Sequence, residues 1–126
     1  MVTDPISDLL IRLQNASRVG HTSVSLPYSQ MKHSIAQILK KEGYVGDVGK
    51  KAYSLTIELR YSAGKPVITG TKRISKPSRR MYMGVRDVKP VKRGHGLLVL
   101  STPAGVMTGK EAVGKRVGGE ALFEIW

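Results

Sequence analysis

Two hydroxyl residues, Ser101 and Thr102, close a dense apolar run, Leu97-Leu98-Val99-Leu100, and lead into Pro103, Ala104 and Gly105. Further along, Gly118-Gly119 precedes Glu120 and a final apolar stretch ending at Trp126. A hydroxyl both donates and accepts, so a pair fixed on a strand edge suits base edges or ribose 2′-hydroxyls. Gly105 lets a backbone approach a ligand closely. The same residues equally suit a strand-end turn whose hydroxyls bond the local backbone, and spacing alone leaves both readings open. Glu120 repels phosphate. Facing a nucleic acid, it would accept from a base amino group or a hydroxyl, or orient the neighbouring hydroxyls. Strict alternation along the last strand places Leu122, Glu124 and Trp126 on its side.

The second group of chemically useful residues is a basic run. Lys72, Arg73, Lys76, Arg79, Arg80, Arg86, Lys89, Lys92 and Arg93 are opposed only by Asp87. Most such runs are solvated faces. Here Tyr82 sits beside Arg79 and Arg80, so cations that neutralise phosphate neighbour a ring that can stack on a base or sugar. The whole chain agrees with that reading. It carries 21 Lys and Arg against 9 Asp and Glu, a formal net charge of +12, with a pI near 10.2. A field of that sign attracts polyanions, nucleic acid first and an anionic membrane second.

Catalytic readings fare badly. His21, His33 and His95 lie far apart with no metal-ligand spacing, and there is no cysteine, which excludes disulfides and thiolate metal sites. Ser101 has His95 nearby but no base–orienter motif around it. Gly94-His95-Gly96 lacks the spacing of a phosphate loop, and Gly109-Lys110 lacks the glycines that would precede one. Neither a metal, a cofactor nor a small-molecule substrate is expected. No apolar run approaches the roughly 20 residues that cross a bilayer, and Asp4, Pro5 and Asp8 interrupt any signal-peptide pattern at the start. The first helix has too little lysine on its polar side for a membrane-surface anchor.

These residues must be positioned by an α+β framework. At 126 residues, 40% hydrophobic, the chain can bury roughly two-thirds of its unfolded surface in one domain or two small ones. Asp4-Pro5 opens a helix with Ile6, Leu9, Leu10 and Leu13 on one face, ended by Gly20. Val24-Ser25-Leu26 is a short strand stopped by Pro27. Ser29 caps a second helix whose stripe is Met31, Ile35, Ile38 and Leu39, with Lys32, Lys40 and Lys41 on the solvent side and Gly43 at its end. Tyr44-Val45 begins another strand. Ser54 to Tyr61 alternates, with Leu55, Ile57, Leu59 and Tyr61 inward. Ala63-Gly64-Lys65 turns it into a hairpin partner at Val67 to Ile74.

Ser75-Lys76-Pro77-Ser78 then reads as a linker. The second module has a strand near Met81 to Met83, a loop through Gly94-His95-Gly96, and the buried strand Leu97 to Leu100. A short helix capped by Thr108 and Glu111 follows, stopped at Gly118, and then the strand Glu120 to Trp126. The expected organisation is an N-terminal α+β module over 1–74, two helices on a three-stranded antiparallel sheet, and a mostly β C-terminal module over 79–126 with one short helix, joined by 75–78.

Read in order, these segments resemble the small-subunit ribosomal protein eight family in its bacterial form. Asp4-Pro5-Ile6 with Asp8, Arg12, Asn15 and Ala16 resembles its opening helix. Ser29, Lys32, Ile35-Ala36, Leu39-Lys40 and Glu42-Gly43-Tyr44 resemble its second. Arg73 to Pro77 with Arg80 and Tyr82 resembles its interdomain segment, and Ser101-Thr102, Gly105 to Thr108, Ala112 and Gly118 to Glu120 its C-terminal signature. The resemblance implies a non-catalytic cytoplasmic protein of the small ribosomal subunit. Its C-terminal module would be the principal RNA-binding part, gripping an internal-loop-bearing helix in the central domain of the ribosomal RNA, and its N-terminal module an additional contact; the protein would help organise that RNA during assembly and lie beside other small-subunit proteins. Some members also repress translation by binding a similar hairpin in their own messenger. Carried over by position, Tyr82, Ser101, Thr102, Gly105 and Glu120 form the principal RNA surface, joined by Pro103, Arg79 and Arg80. Arg12, Asn15, Ser29 and Lys32 are secondary contacts. The chain departs from the family pattern at Pro103, where serine is usual, at His95, where an apolar residue is usual, and at Gln14 and Gln30, which replace common basic residues.

Overall fold

The structure is a computed structural model that describes residues 4–89 and 96–126. Pro90, Lys92, Arg93 and the Gly94-His95 part of the expected loop lie outside the described residues. The chain divides into two compact units, Pro5–Thr69 and Met1–Asp4 with Gly70–Trp126.

The first unit is built from α1 (Pro5–Val19), β1 (Ser23–Pro27), α2 (Gln30–Lys41), β2 (Val45–Lys51) and β3 (Ser54–Leu59). Pro5 occupies the first helical position, where its missing N–H costs nothing. Ile6, Leu9, Leu10 and Leu13 are buried on one face of α1. Ser29 Oγ accepts from the backbone N–H of Lys32 at 3.2 Å and so caps α2. Gly43 takes φ +85 just past its end. The three strands form an antiparallel sheet in the order β1-β3-β2. Leu55, Ile57 and Leu59 are buried and their alternate neighbours exposed, the signature of a sheet with one covered face.

Several details differ from the sequence reading. Lys32 does not line the solvent side of α2. It is only 7% exposed, while Met31, placed in the apolar stripe, is exposed. An α2 of this length buries a narrow arc, and position 32 falls inside it. Tyr61 is exposed rather than inward, because β3 stops at Leu59. The tight hairpin is instead β4 (Tyr61–Ser62) against β5 (Lys65–Pro66), turned by Ala63 and Gly64 at φ +52 and +77, the paired positive φ of a two-residue hairpin loop.

Val67 to Ile74 is not the hairpin partner of β3. Its regular part, β6 (Thr71–Arg73), pairs with the last strand of the second unit. The break between units accordingly falls at Thr69–Gly70 and not at 75–78. Ser75 is fully buried within the second unit.

That unit continues with β7 (Tyr82–Met83), a 3₁₀ turn at Val85–Asp87, β8 (Leu97–Thr102), β9 (Gly105–Thr108), α3 (Gly109–Lys115) and β10 (Gly119–Ile125). The sheet order is β6-β10-β8-β9, with β7 also on β10. β9 was not foreseen: it is the return arm of a hairpin whose loop is Pro103-Ala104. Thr108 caps α3 as expected, its hydroxyl accepting from Glu111 N at 3.1 Å. The helix ends at Arg116, in the left-handed region at φ +56, and not at Gly118. Leu98, Leu100, Met107, Ala112 and Ala121 form the core between α3 and the sheet. A bulge between Ala121 and Phe123 breaks the alternation of β10, so Leu122 is buried and does not continue the face of Glu120.

Candidate nucleic-acid interface

Residues directly opposite in neighbouring antiparallel strands share a face. Glu120 is opposite Tyr82 on one side and Ser101 on the other, and Ser101 is opposite Val106. Tyr82, Glu120, Ser101 and Val106 therefore form one row across β7, β10, β8 and β9. Tyr82 is 72% exposed, and Ser101, one strand beyond Glu120, is half-buried.

Two glycines make this row possible. A Cβ on Gly119 would lie 2.2 Å from the Ser101 carbonyl oxygen, and one on Gly118 would lie 2.5 Å from that of Met83. Only residues without a side chain allow β7, β10 and β8 to converge here. The Gly118-Gly119-Glu120 signature is thus a packing device that sets the distance between Tyr82, Glu120 and Ser101.

Glu120 is held by two hydrogen bonds to one carboxylate oxygen. The Ser75 hydroxyl donates to its Oε2, and Arg80 Nη1 donates to the same oxygen at 3.0 Å. Ser75 Oγ in turn accepts the backbone N–H of Met81 at 3.1 Å, which ties the residue before Tyr82 into the network. Burial pushes the Glu120 carboxyl up, but the Ser75 and Arg80 hydrogen bonds and the charges of Arg80 and Arg73 outweigh it, and the net shift is below the usual carboxylate range. The group stays ionised, with its charge partly answered by Arg80, so the row presents a fixed acceptor on a basic surface.

Thr102 belongs to the opposite face. It is buried, its hydroxyl donates to Gly105 O at 2.8 Å and accepts from Ala104 N at 3.1 Å. Of the two readings left open for the hydroxyl pair, Thr102 takes the local one and Ser101 faces outward. Pro103 sits at the second position of the turn, where its fixed φ is favoured, and Gly105 closes the turn at φ +115. Pro103 and Gly105 are both exposed at the end of the row.

The basic run divides as well. Arg73 is not a solvated cation: its Nε and Nη2 each donate to Asp4 at 3.2 Å, and Nη1 donates to Leu122 O. Arg79 closes the turn Lys76–Arg79 through reciprocal 2.9 Å backbone bonds, and Arg79 and the following Arg80 are both exposed. Among the secondary candidates, Arg12 and Asn15 are exposed on α1. Arg12 pairs with Asp8 at 3.0 Å and reaches Ser25 O at 3.4 Å. Ser29 serves its helix as a cap, and Lys32 is covered.

Ser75 is the residue that periodicity missed, since a serine between Ile74 and Lys76 looks like linker. Its only signal was its place in the Arg73 to Pro77 segment of the family resemblance.

The model of the family described as ribosomal protein S8 matches residues 4–126. The chain is similar to proteins named small ribosomal subunit protein uS8. It is 51% identical to that of Nitratidesulfovibrio vulgaris (strain DSM 19637 / Miyazaki F) and 52% to that of Oleidesulfovibrio alaskensis, over 100% of both chains in each case. It is 49% identical to that of Roseiflexus castenholzii, over 99% of this chain and 98% of the relative. With a model covering nearly every residue and full-length relatives at half identity, the chain belongs to the ribosomal protein S8 family.

Proposed function

We propose that this chain is a structural, non-catalytic component of the small ribosomal subunit that binds a helix with an internal loop in the central domain of the ribosomal RNA and helps organise it. The observation that carries this reading is the four-strand row of Tyr82, Glu120, Ser101 and Val106. Such a row suits a deformed helix. Tyr82 offers a stacking face to a splayed base, and Ser101 offers a donor and acceptor to a base edge or 2′-hydroxyl. Glu120 accepts from an amino group or hydroxyl. Arg79, Lys76 and Arg86, all exposed, answer flanking phosphates and give affinity that falls with salt. Pro103 and Gly105 supply exposed backbone at one end, with Thr102 holding the turn rather than touching RNA.

Its partners are then small-subunit ribosomal RNA and neighbouring ribosomal proteins, and its place is the ribosome in the cytoplasm. Chemical footprinting of full-length small-subunit RNA tests the reading. One discrete protected stretch in the central domain is expected, around an internal loop. Weak protection spread along the RNA would contradict it.

A further inference from the structure

The first unit carries a cluster that the row does not use. Tyr53 lies at the tip of the β2–β3 hairpin and is 90% exposed. Lys51 is paired with Ser54, so Ala52 and Tyr53 alone form the loop, and Ala52 is held at φ +54, an uncommon conformation for a residue with a Cβ. The Tyr53 carbonyl accepts from Tyr28 N at 2.8 Å, which fixes the tip to the end of β1. Lys50 Nζ lies 4.2 Å from the centre of the Tyr28 ring, and the His33 ring is 5.7 Å from the same ring. No acidic residue occurs from Tyr28 through His33 or from Val48 through Ile57. The nearest acid along β2, Asp47, is paired with Lys40 at 3.4 Å.

We propose that this tip is a second RNA contact that takes an unpaired nucleotide, its base stacked on Tyr53 and its phosphates answered by Lys50 and Lys51. The inference rests on the reading of the chain as an RNA binder and adds a single-strand site to it. An exposed ring on a rigid tip costs little ordering entropy when a base stacks on it, and stacking with adjacent cations is the common chemistry of single-strand binding. A protein partner would favour an anchor set in apolar surroundings, with lysine depleted. Tyr53 instead follows Lys50 and Lys51 on an acid-free hairpin tip. Lys50, already placed over Tyr28, is oriented rather than free to wander.

The test is titration of the full chain with a short oligoadenylate, read by anisotropy and by NMR shifts of the Tyr53 and Lys50 signals. Tyr53→Ala is expected to weaken binding about tenfold, and Tyr53→Phe to keep it, since the face stacks and not the hydroxyl. Lys51→Ala should lower the salt slope by about 0.7. Thermal melts of the variants should match the parent because Tyr53 makes its structural bond through its backbone. Oligoadenylate binding unchanged in Tyr53→Ala, an equal loss in Tyr53→Phe, or shifts that avoid the tip would each overturn the inference; the last would leave the tip to a protein neighbour. Binding of Tyr53→Ala to an internal-loop hairpin is the separate readout for the row of the second unit. Its retention alongside a lost oligoadenylate contact supports two sites.

Discussion

Replacing Glu120 by glutamine separates two roles that its carboxylate can play on a sheet proposed to face RNA. Glutamine keeps the shape and leaves one carbonyl oxygen for Ser75 and Arg80 but removes the charge. Arg80 is about half exposed, its side chain at 51%, so the ion pair itself contributes under about 1 kcal/mol. The Ser75 bond is different because Ser75 is fully buried. A hydrogen bond to a charged acceptor is worth about 1 kcal/mol more than one to a neutral acceptor. Together these give a loss of about 1.5 kcal/mol, a fall in Tm of roughly 6 °C if the whole chain unfolds as one.

The pH dependence has a fixed sign. The folded carboxyl sits below its unfolded value of about 4.3. Its stabilisation is therefore complete above that pH and is lost as pH falls through the folded value. Glu120→Gln should flatten this acid limb, as measured by urea unfolding across pH. RNA binding gives the sharper reading. A carboxylate that only repels phosphate would, once removed, raise affinity for every RNA. If Glu120 instead fixes the row, the variant binds a fully paired hairpin slightly better and loses about tenfold for the looped one. A gain on both RNAs would refute the reasoning.

Gly119→Ala places a methyl group against the Ser101 carbonyl and should cost about 3 kcal/mol in urea unfolding. Gly49→Ala, with open space around it, should raise stability by about 0.5–1 kcal/mol, since glycine inside a strand loses more backbone freedom on folding. Asp4→Ala strands the nearly buried guanidinium of Arg73 and should cost about 3 kcal/mol, whereas Asp8→Ala at the exposed Arg12 pair should cost about 0.5 kcal/mol or less; a matched pair of denaturation curves decides it. Pro103→Ser frees φ in the unfolded chain and should lower stability by about 0.5–1 kcal/mol, seen as a small fall in Tm.

The α+β class, the caps at Ser29 and Thr108 and the alternation of Leu55, Ile57 and Leu59 were legible because each depends on neighbours in sequence. The partner of β6 was not. Thr71–Arg73 reads equally well as the return arm of β3, and only the pairing with Phe123 to Ile125 assigns it to the second unit. The same holds for Lys32, whose burial follows from the elements around α2, and for the bulge in β10. Within the candidate interface, residue types pointed to Tyr82, Ser101 and Glu120, yet the split between Ser101 and Thr102 needed the strand register. Ser75 and Arg73 were misjudged for one reason: a buried polar residue that serves a distant partner has no local pattern. Their partners Glu120 and Asp4 lie at the far ends of the chain.

The central claim is that the row on the second sheet selects a deformed RNA helix while the surrounding cations supply salt-dependent affinity. Equilibrium binding to a hairpin with an internal loop and to a fully paired hairpin of equal length, across a salt series, tests it most directly. The parent chain should bind the looped RNA far more tightly at every salt concentration. Ser101→Ala and Tyr82→Ala should reduce that preference by about tenfold each with little change in slope. Equal and steeply salt-dependent binding to both RNAs would contradict the claim and reduce the surface to a general polyanion binder.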